Sequence, residues 1–388
     1  MPFSNSYMIT NRAYTTGFFG GFQNTPIDNS GVMFFTMAGQ PYDQNASDYT
    51  IQNAKDNNGN YIPSASMPAS FSTALIQDLK QAVVGGNPQL TIYIHGLGNN
   101  WSDAVGEMGD FGSQLQTTAG YAGLVIGFSW PSYNEIESPL LYATQWPSTG
   151  TAQTIRDNIV NSVNAFANLL VMVRTLTKAL PGLNLNIICH SEGNYMLMQG
   201  MSAQTGQTKL VNHVIMLAAD IGNAALQLAP ANNGNVNGMA IAALANDVSV
   251  YSSIYDEDLL YSNVGYLNFH NPKFPLRLGQ AGIYSYLGEG LALPLPANVV
   301  GIDCSDVVND LNIINLAQHG VIQLTQMPAA TKGTYEPYIH GSYRYIPQVL
   351  QDMTAVMTGQ KPVDRTAVPN TNGQGFQMNV AASARAAA

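Results

Sequence analysis

Charge is scarce in this 388-residue chain. Asp, Glu, Lys and Arg together make up 10% of it, and 24 carboxylates stand against 14 cations for a net charge of −10. No basic block occurs, which argues against nucleic acid or an anionic membrane surface as the principal partner. Cysteine is nearly absent too. Cys189 and Cys304 are the whole complement, too few for a disulfide framework. Cys189 sits in a strand-like run, where a small buried thiol is expected. There is no His/Cys metal spacing and no Gly-rich phosphate loop, so neither a metal nor an organic cofactor is called for. No unbroken apolar run approaches the ~18 residues needed to cross a bilayer. The opening residues, "MPFSNSYMITNRAYTTGFFGGF", lack a basic start followed by an apolar stretch. The expectation is a protein without a transmembrane segment, cytoplasmic unless exported without a leader. Internal repeats are absent.

What the chain has is apolar mass. Hydrophobic residues make up 46% of it, enough for one large core. From about residue 70, helix-like and strand-like segments alternate. Helices are predicted over 71–86 (stopped by glycine), from Trp101 with Ser102 as N-cap, and over 151–180, 193–203 and 342–357. Continuous apolar runs at 89–96, 123–131, 183–189, 211–220, 248–256 and 297–305 read as buried strands. Such strands, separated by helices, imply an α/β fold with a mostly parallel central sheet covered on both faces. Residues 1–70 read as an N-terminal extension in which "GVMFFTMAG" is an early antiparallel strand. The main domain spans 71–360, and 361–388 reads as a poorly ordered tail. Within the domain, the aromatic stretch 257–338 has no clear period and reads as an insertion, either a cap over a site or surface packing.

The chemistry centres on "NLNIICHSEGNYMLM", where a strand ends at a His-Ser-Glu-Gly corner and a helix begins. A serine hydroxyl attacks a carbonyl only when a base takes its proton and donors hold the oxyanion. A sharp strand-to-helix turn lifts Ser191 clear of the sheet and sets the N–H of Glu192 at a helix N-terminus. Such a nucleophile elbow needs small residues on both sides, and Cys189 and Gly193 meet that need. The sequence C-H-S-E-G departs from G-x-S-x-G, and an ordinary serine N-cap is the competing reading.

The upstream "IYIHGLGNNWSDA" (92–104) supplies the second oxyanion donor: Gly96 permits a tight turn and Leu97 offers its N–H. His95 is expected to buttress this loop. In this chain order the acid and the base follow the nucleophile. His340, in "YIHGSYRYIPQVL", is favoured as base over His319, with His270 behind; His213 lies in a strand and reads as structural. Asp256, in "VSVYSSIYDEDLL", is favoured as acid, with Asp220 and Asp258 as alternatives; Asp303 reads as structural.

These blocks resemble the α/β-hydrolase proteins grouped as DUF900, whose members carry a strand-His-Gly loop, a Phe-Ser-Trp-Pro-Ser block, an Ala-His-Ser-Met-Gly-Asn elbow, Leu-Ala-Ala-Pro-Asp, a Tyr-x-Ser strand leading to Asp, Arg-Leu-Gly and a late His. Here they are "HGLGNNWSDA", "FSWPS", "CHSEGN", "LAAD", "VYSSIYDEDL", "RLG" and "HGSYRYIPQVLQDM", in that order over roughly 90–355. The resemblance implies an α/β-hydrolase fold with the long insertion between acid and base, and Ser191 as nucleophile, Asp256 as acid and His340 as base. The chain departs from the pattern at Cys189, at Glu192 and in lacking the proline before Asp220. A carboxylate at 192 either points to solvent or favours a neutral or cationic leaving portion. The expected activity is hydrolysis of a small-molecule carboxylic ester, as in esterases and lipases, through an acyl-enzyme. Low charge and many aromatics suit an apolar acyl chain and suit packing equally well. An acyltransferase, thioesterase or amidase would use the same residues, and a catalytically silent scaffold is the alternative from another class.

Overall fold

The computed structural model describes residues 3–15, 21–26, 31–132, 151–204, 209–223, 225–226, 238–256, 258–259, 277–283, 295–308, 339–362, 365–368 and 373–378. In chain order the strands are β1 (Asn5–Thr10), β2 (Arg12–Thr15), β3 (Gly21–Pro26), β4 (Met33–Ala38), β5 (Thr50–Ile51), β6 (Val83–Val84), β7 (Asn87–Ile94), β8 (Leu124–Ser129), β9 (Asn184–His190), β10 (Val211–Leu217), β11 (Ala245–Ser252), β12 (Val299–Asp303), β13 (Arg365–Ala367) and β14 (Gly375–Met378). The helices are α1 (Ala69–Leu79), α2 (Trp101–Ala119), α3 (Thr151–Ala179), α4 (Gly193–Ser202), α5 (Met239–Leu244), α6 (Leu278–Ala281), α7 (Ser305–Val308), α8 (Ile339–Ser342) and α9 (Pro347–Met357).

Twelve strands form one sheet in the order β13-β14-β12-β11-β10-β9-β7-β8-β1-β4-β5, with β6 paired to β7. From β14 to β1 every neighbouring pair is parallel. The central strands β7 to β10 are Val-, Ile- and Leu-rich and buried on both sides, as parallel strands under two helical layers must be. The chain leaves β7 for β8 on one side and then crosses back to β9 on the other. Right-handed crossovers therefore place α2 and α3 on opposite faces. The reversal opens a crevice at the C-terminal ends of β7 and β9, where open α/β sheets bind ligands.

Several expectations are corrected. The N-terminal residues are part of the sheet: β1 lies parallel to β8 and antiparallel to β4. The tail is ordered where described, since β14 adds to β12 and β13 returns beside β14. Strands of three and four residues are too short to show a period. Arg365 of β13 instead reaches the buried Asp352 carboxylate, which also accepts from Tyr251 at 2.5 Å. The first helix stops at Leu79, and Gly85 and Gly86 (φ 58° and 87°) instead make the two-residue turn of the β6–β7 hairpin. Asn100, not Ser102, caps α2, in a reciprocal capping box with Asp103. Finally, Asp157–Ala179 of α3 is long and apolar enough to cross a membrane by length and composition, although no single unbroken apolar run is. More than half of that stretch is buried inside the fold, with Phe166 against Phe128.

Candidate active site

At the end of β9 the chain turns at Ser191 with φ 53°, a left-handed conformation that costs a non-glycine residue about 1–2 kcal/mol. The strain is held by neighbours. The Ser191 N–H donates to the Leu217 carbonyl at 3.0 Å, and the Ser191 carbonyl accepts from the N–H groups of Asn194 (3.0 Å) and Asp220 (3.2 Å). The Asn194 amide also bonds the carbonyls of Cys189, Ser191 and Leu217. The helix that follows runs so close to β7 that a Cβ on Gly193 would lie 2.6 Å from the His95 carbonyl oxygen. Bulk at 193 is excluded by this contact, whereas Cys189 is simply buried in the core.

The loop after β7 is pressed onto the elbow. A Cβ on Gly96 would stand 2.8 Å from that of Ser191. Leu97 follows at once, part-buried against the core. His95 buttresses the loop: one ring nitrogen, Nδ1, donates to the Gly96 carbonyl at 2.8 Å, and the other, Nε2, accepts from the Trp130 N–H at 3.2 Å. Burial, with the nearby Arg12 cation, lowers His95 to about 4 and keeps it neutral. Glu192 is buried at the start of α4, so its carboxylate does not lie out in solvent as one reading of it allowed.

His340 comes down on this corner from α8. Its Nδ1 is 3.0 Å from both carboxylate oxygens of Asp256, which sits in the turn beyond β11 and is wholly buried. Asp256 also accepts from the Leu259 N–H at 3.2 Å. A carboxylate only accepts, so the His340 proton is on Nδ1 and Nε2 is left for the serine side. Burial lowers the His340 pKa, but the charge and hydrogen bond of Asp256, with smaller contributions from Asp258 and Asp220, outweigh it and lift the ring to about 9. No hydrogen bond joins the Ser191 hydroxyl to His340 among the described residues. The two are neighbours through His190, whose ring centre is 4.8 Å from that of His340.

The alternatives separate. Asp220 faces Arg277, with Nε 2.8 Å from its carboxylate, and both are buried. Asp258 contributes charge to His340, whose Nδ1 is held by Asp256. His319 and His270 lie outside the described residues, as does most of the 257–338 stretch. His213 pairs with Asp247 at 3.5 Å on a strand, away from the elbow. Asp303 caps α7 through Ser305. Among the described residues no cluster of His, Cys, Asp or Glu could hold a metal ion.

Sequence reasoning passed over Arg12, Glu107, His190, Arg277 and Arg344. The signal was available: in a chain with so little charge, an ionic residue inside an apolar segment must have a buried partner. Glu107 in "VGEMG" is such a residue.

The strand order, the crevice and the elbow define an α/β hydrolase. The family model for α/β hydrolases of unknown function, DUF900, matches residues 67–270, just over half of the chain, which belongs to that family. Solved structures similar to it include a cutinase-like protein from Cryptococcus sp. (12% identity, 43% of this chain and 78% of that one, TM-score 0.27). Others are a lipase-esterase related protein from Clostridium acetobutylicum (15%, 46% and 81%, TM-score 0.23) and acetyl xylan esterase 1 from Thermoanaerobacterium sp. (7%, 68% and 77%, TM-score 0.25). No curated protein matches the chain.

Proposed function

We propose that the protein is a serine hydrolase of carboxylic esters, with Ser191 as nucleophile, His340 as base and Asp256 as the acid that orients it. The observation that carries this reading is the left-handed Ser191 at the crevice, with a His340–Asp256 pair at 3.0 Å lodged against its neighbour His190. His340 Nε2 takes the proton of the hydroxyl as its oxygen attacks the ester carbonyl. Asp256 keeps the ring in the right tautomer and steadies the imidazolium. The N–H groups of Leu97 and Glu192 receive the oxyanion; losing one such donor costs roughly 3 kcal/mol of barrier. The alcohol departs with the proton from His340, and water repeats the course on the acyl-enzyme. Catalysis needs neutral His340, so the reactive form is populated on the alkaline side. A small ester with an apolar acyl chain is the substrate class. No nucleic-acid partner is expected, and we place the activity in the cytoplasm.

The test is a fluorophosphonate probe on the intact protein. Labelling that vanishes in Ser191→Ala supports the reading, as does loss of p-nitrophenyl ester turnover in Ser191→Ala and His340→Ala. The missing hydrogen bond between Ser191 and His340 speaks for a silent scaffold instead. Apo geometry of this kind tightens with substrate in working hydrolases, and folded protein that takes no label decides for the scaffold.

A further inference from the structure

A site of this kind needs three separate stretches in register: the loop of Leu97, the elbow of Ser191 and the helix of His340. One carboxylate is tied to the first and the third and lies beside the second. Glu107, in the second turn of α2, accepts through Oε2 from the side-chain amide of Asn99 at 3.1 Å, two residues beyond Leu97. Its Oε1 lies 2.9 Å from Nη1 of Arg344, four residues beyond His340, and accepts from the Tyr93 hydroxyl on β7. The Nδ1 of His190 is 4.0 Å from the same oxygen, and the Nε2–H of that ring donates to the His340 carbonyl at 2.8 Å. Arg344 is in turn within 3.4 Å of the Gly341 carbonyl through Nε, so the guanidinium is fastened to the helix that carries the base.

Such a pair is not there for stability alone. Burying two charges costs as much as their attraction returns, and apolar residues of equal volume do as well or better. What the carboxylate supplies as a clamp is direction: the hydrogen bonds it accepts from Asn99 and Tyr93 fix angles as well as distances, and the ion pair with Arg344 adds attraction. Burial acts to raise the Glu107 pKa, but Arg344 first, then His190, His95 and the Tyr93 hydroxyl, bring it down to about 2, so the clamp stays ionised.

We infer that Glu107 is a positioning residue, which through Arg344 and Asn99 fixes the His340 helix and the Leu97 loop against Ser191. The inference rests on the serine-hydrolase reading above. Glu107 touches no reacting atom, so its loss is felt in reactivity and not in ligand binding. A misplacement of 1 Å at a reacting pair costs on the order of a hundredfold.

The experiment is the inactivation kinetics of the full chain with a fluorophosphonate, giving kinact and KI, alongside a melting temperature for each variant. Glu107→Gln should lower kinact about a hundredfold with KI within about threefold. Asn99→Ala should lower it about tenfold; the backbone of that loop remains tied by Arg12 and Ser132. The double variant Glu107→Gln/Arg344→Gln should be no slower than Glu107→Gln, because the pair acts as a unit. Arg344→Lys should label at least about tenfold faster than Arg344→Gln, the charge being restored. If Glu107→Gln does not fold, Asn99→Ala and the two Arg344 variants decide. An unchanged kinact in folded Asn99→Ala and Glu107→Gln, with only the melting temperature moved, overturns the inference and leaves the hydrolase reading standing. Multiplying losses in the double variant, or equal rates for the two Arg344 variants, overturn it too. Wild-type protein that takes no label at Ser191 removes both.

Discussion

His190 and His340, with ring centres 4.8 Å apart, are pushed to opposite ends of the imidazole range. Burial, then the neighbouring His340 and Arg344 cations, lowers His190 to about 3. His340 is lifted to about 9 by Asp256 against its own burial. Titratable neighbours driven apart in this way mark a division of labour. His190 stays neutral and serves as a hydrogen-bond donor, while His340 takes up its second proton readily.

The first prediction concerns pH. The base must be neutral to accept a proton, so kcat/KM for a short p-nitrophenyl ester should climb through the alkaline range with an apparent pKa near 9. Asp256→Asn should move that limb down toward the ordinary imidazole value. Folding stability runs the other way. A group raised in the folded state stabilises fully below its unfolded pKa of 6.5 and ceases to do so as pH rises through about 9. Urea midpoints at pH 6 and pH 10 measure this. A wild-type activity limb at or below 6.5 would remove His340 as the base.

A second prediction separates strain from function at the elbow. Ser191→Gly removes the nucleophile and relieves the left-handed φ of 53°. After allowing for glycine's own flexibility, it should stabilise the fold by up to about 1 kcal/mol relative to Ser191→Ala. Equal unfolding free energies for the two variants would mean that the turn carries no strain.

The acid is tested by comparison. Asp256→Asn should cost roughly four orders of magnitude in kcat, as loss of the orienting carboxylate does in related triads. Asp220→Asn should retain most activity but destabilise by about 3 kcal/mol, because it takes the carboxylate from buried Arg277. Asp258→Asn should change kcat little. A reversed ranking reassigns the acid.

The last prediction concerns the C-terminal strands. Arg365 donates to Asp352 through Nε at 2.7 Å and through Nη2, and Asp352 is buried. Arg365→Ala should destabilise by about 3 kcal/mol by leaving that carboxylate alone. Asp352→Asn introduced on top of Arg365→Ala should recover part of the loss; no recovery would show that the charge is not the cause.

The central sheet was readable because strands β7 to β11 are continuous apolar runs, and the elbow because Cys189 and Gly193 bracket Ser191. That His340 and Asp256 meet was readable from chain order and from their places after strand-like runs. The ends of the sheet were not, since β5, β13 and β14 have two to four residues each and owe their place to neighbours far away in sequence. Gly85 and Gly86 were misread because a glycine pair ends a helix as readily as it turns a hairpin. The ionic links were missed for a different reason. Glu107 and Arg344, or Asp220 and Arg277, are separated by long stretches of chain, and no local pattern joins a charge to its distant partner.

Arg12 shows what such distant links imply. Its guanidinium, from the second strand of the chain, reaches the carbonyl of Asn99 at 2.6 Å and the hydroxyl of Ser129 at 2.9 Å. The loop after β7 and the end of β8 are thus tied to β2, a strand far from both in sequence. A protease cut or a bulky insertion beside Arg12 would therefore be felt at Asn99, so an edit in β2 would disturb the loop that carries Leu97.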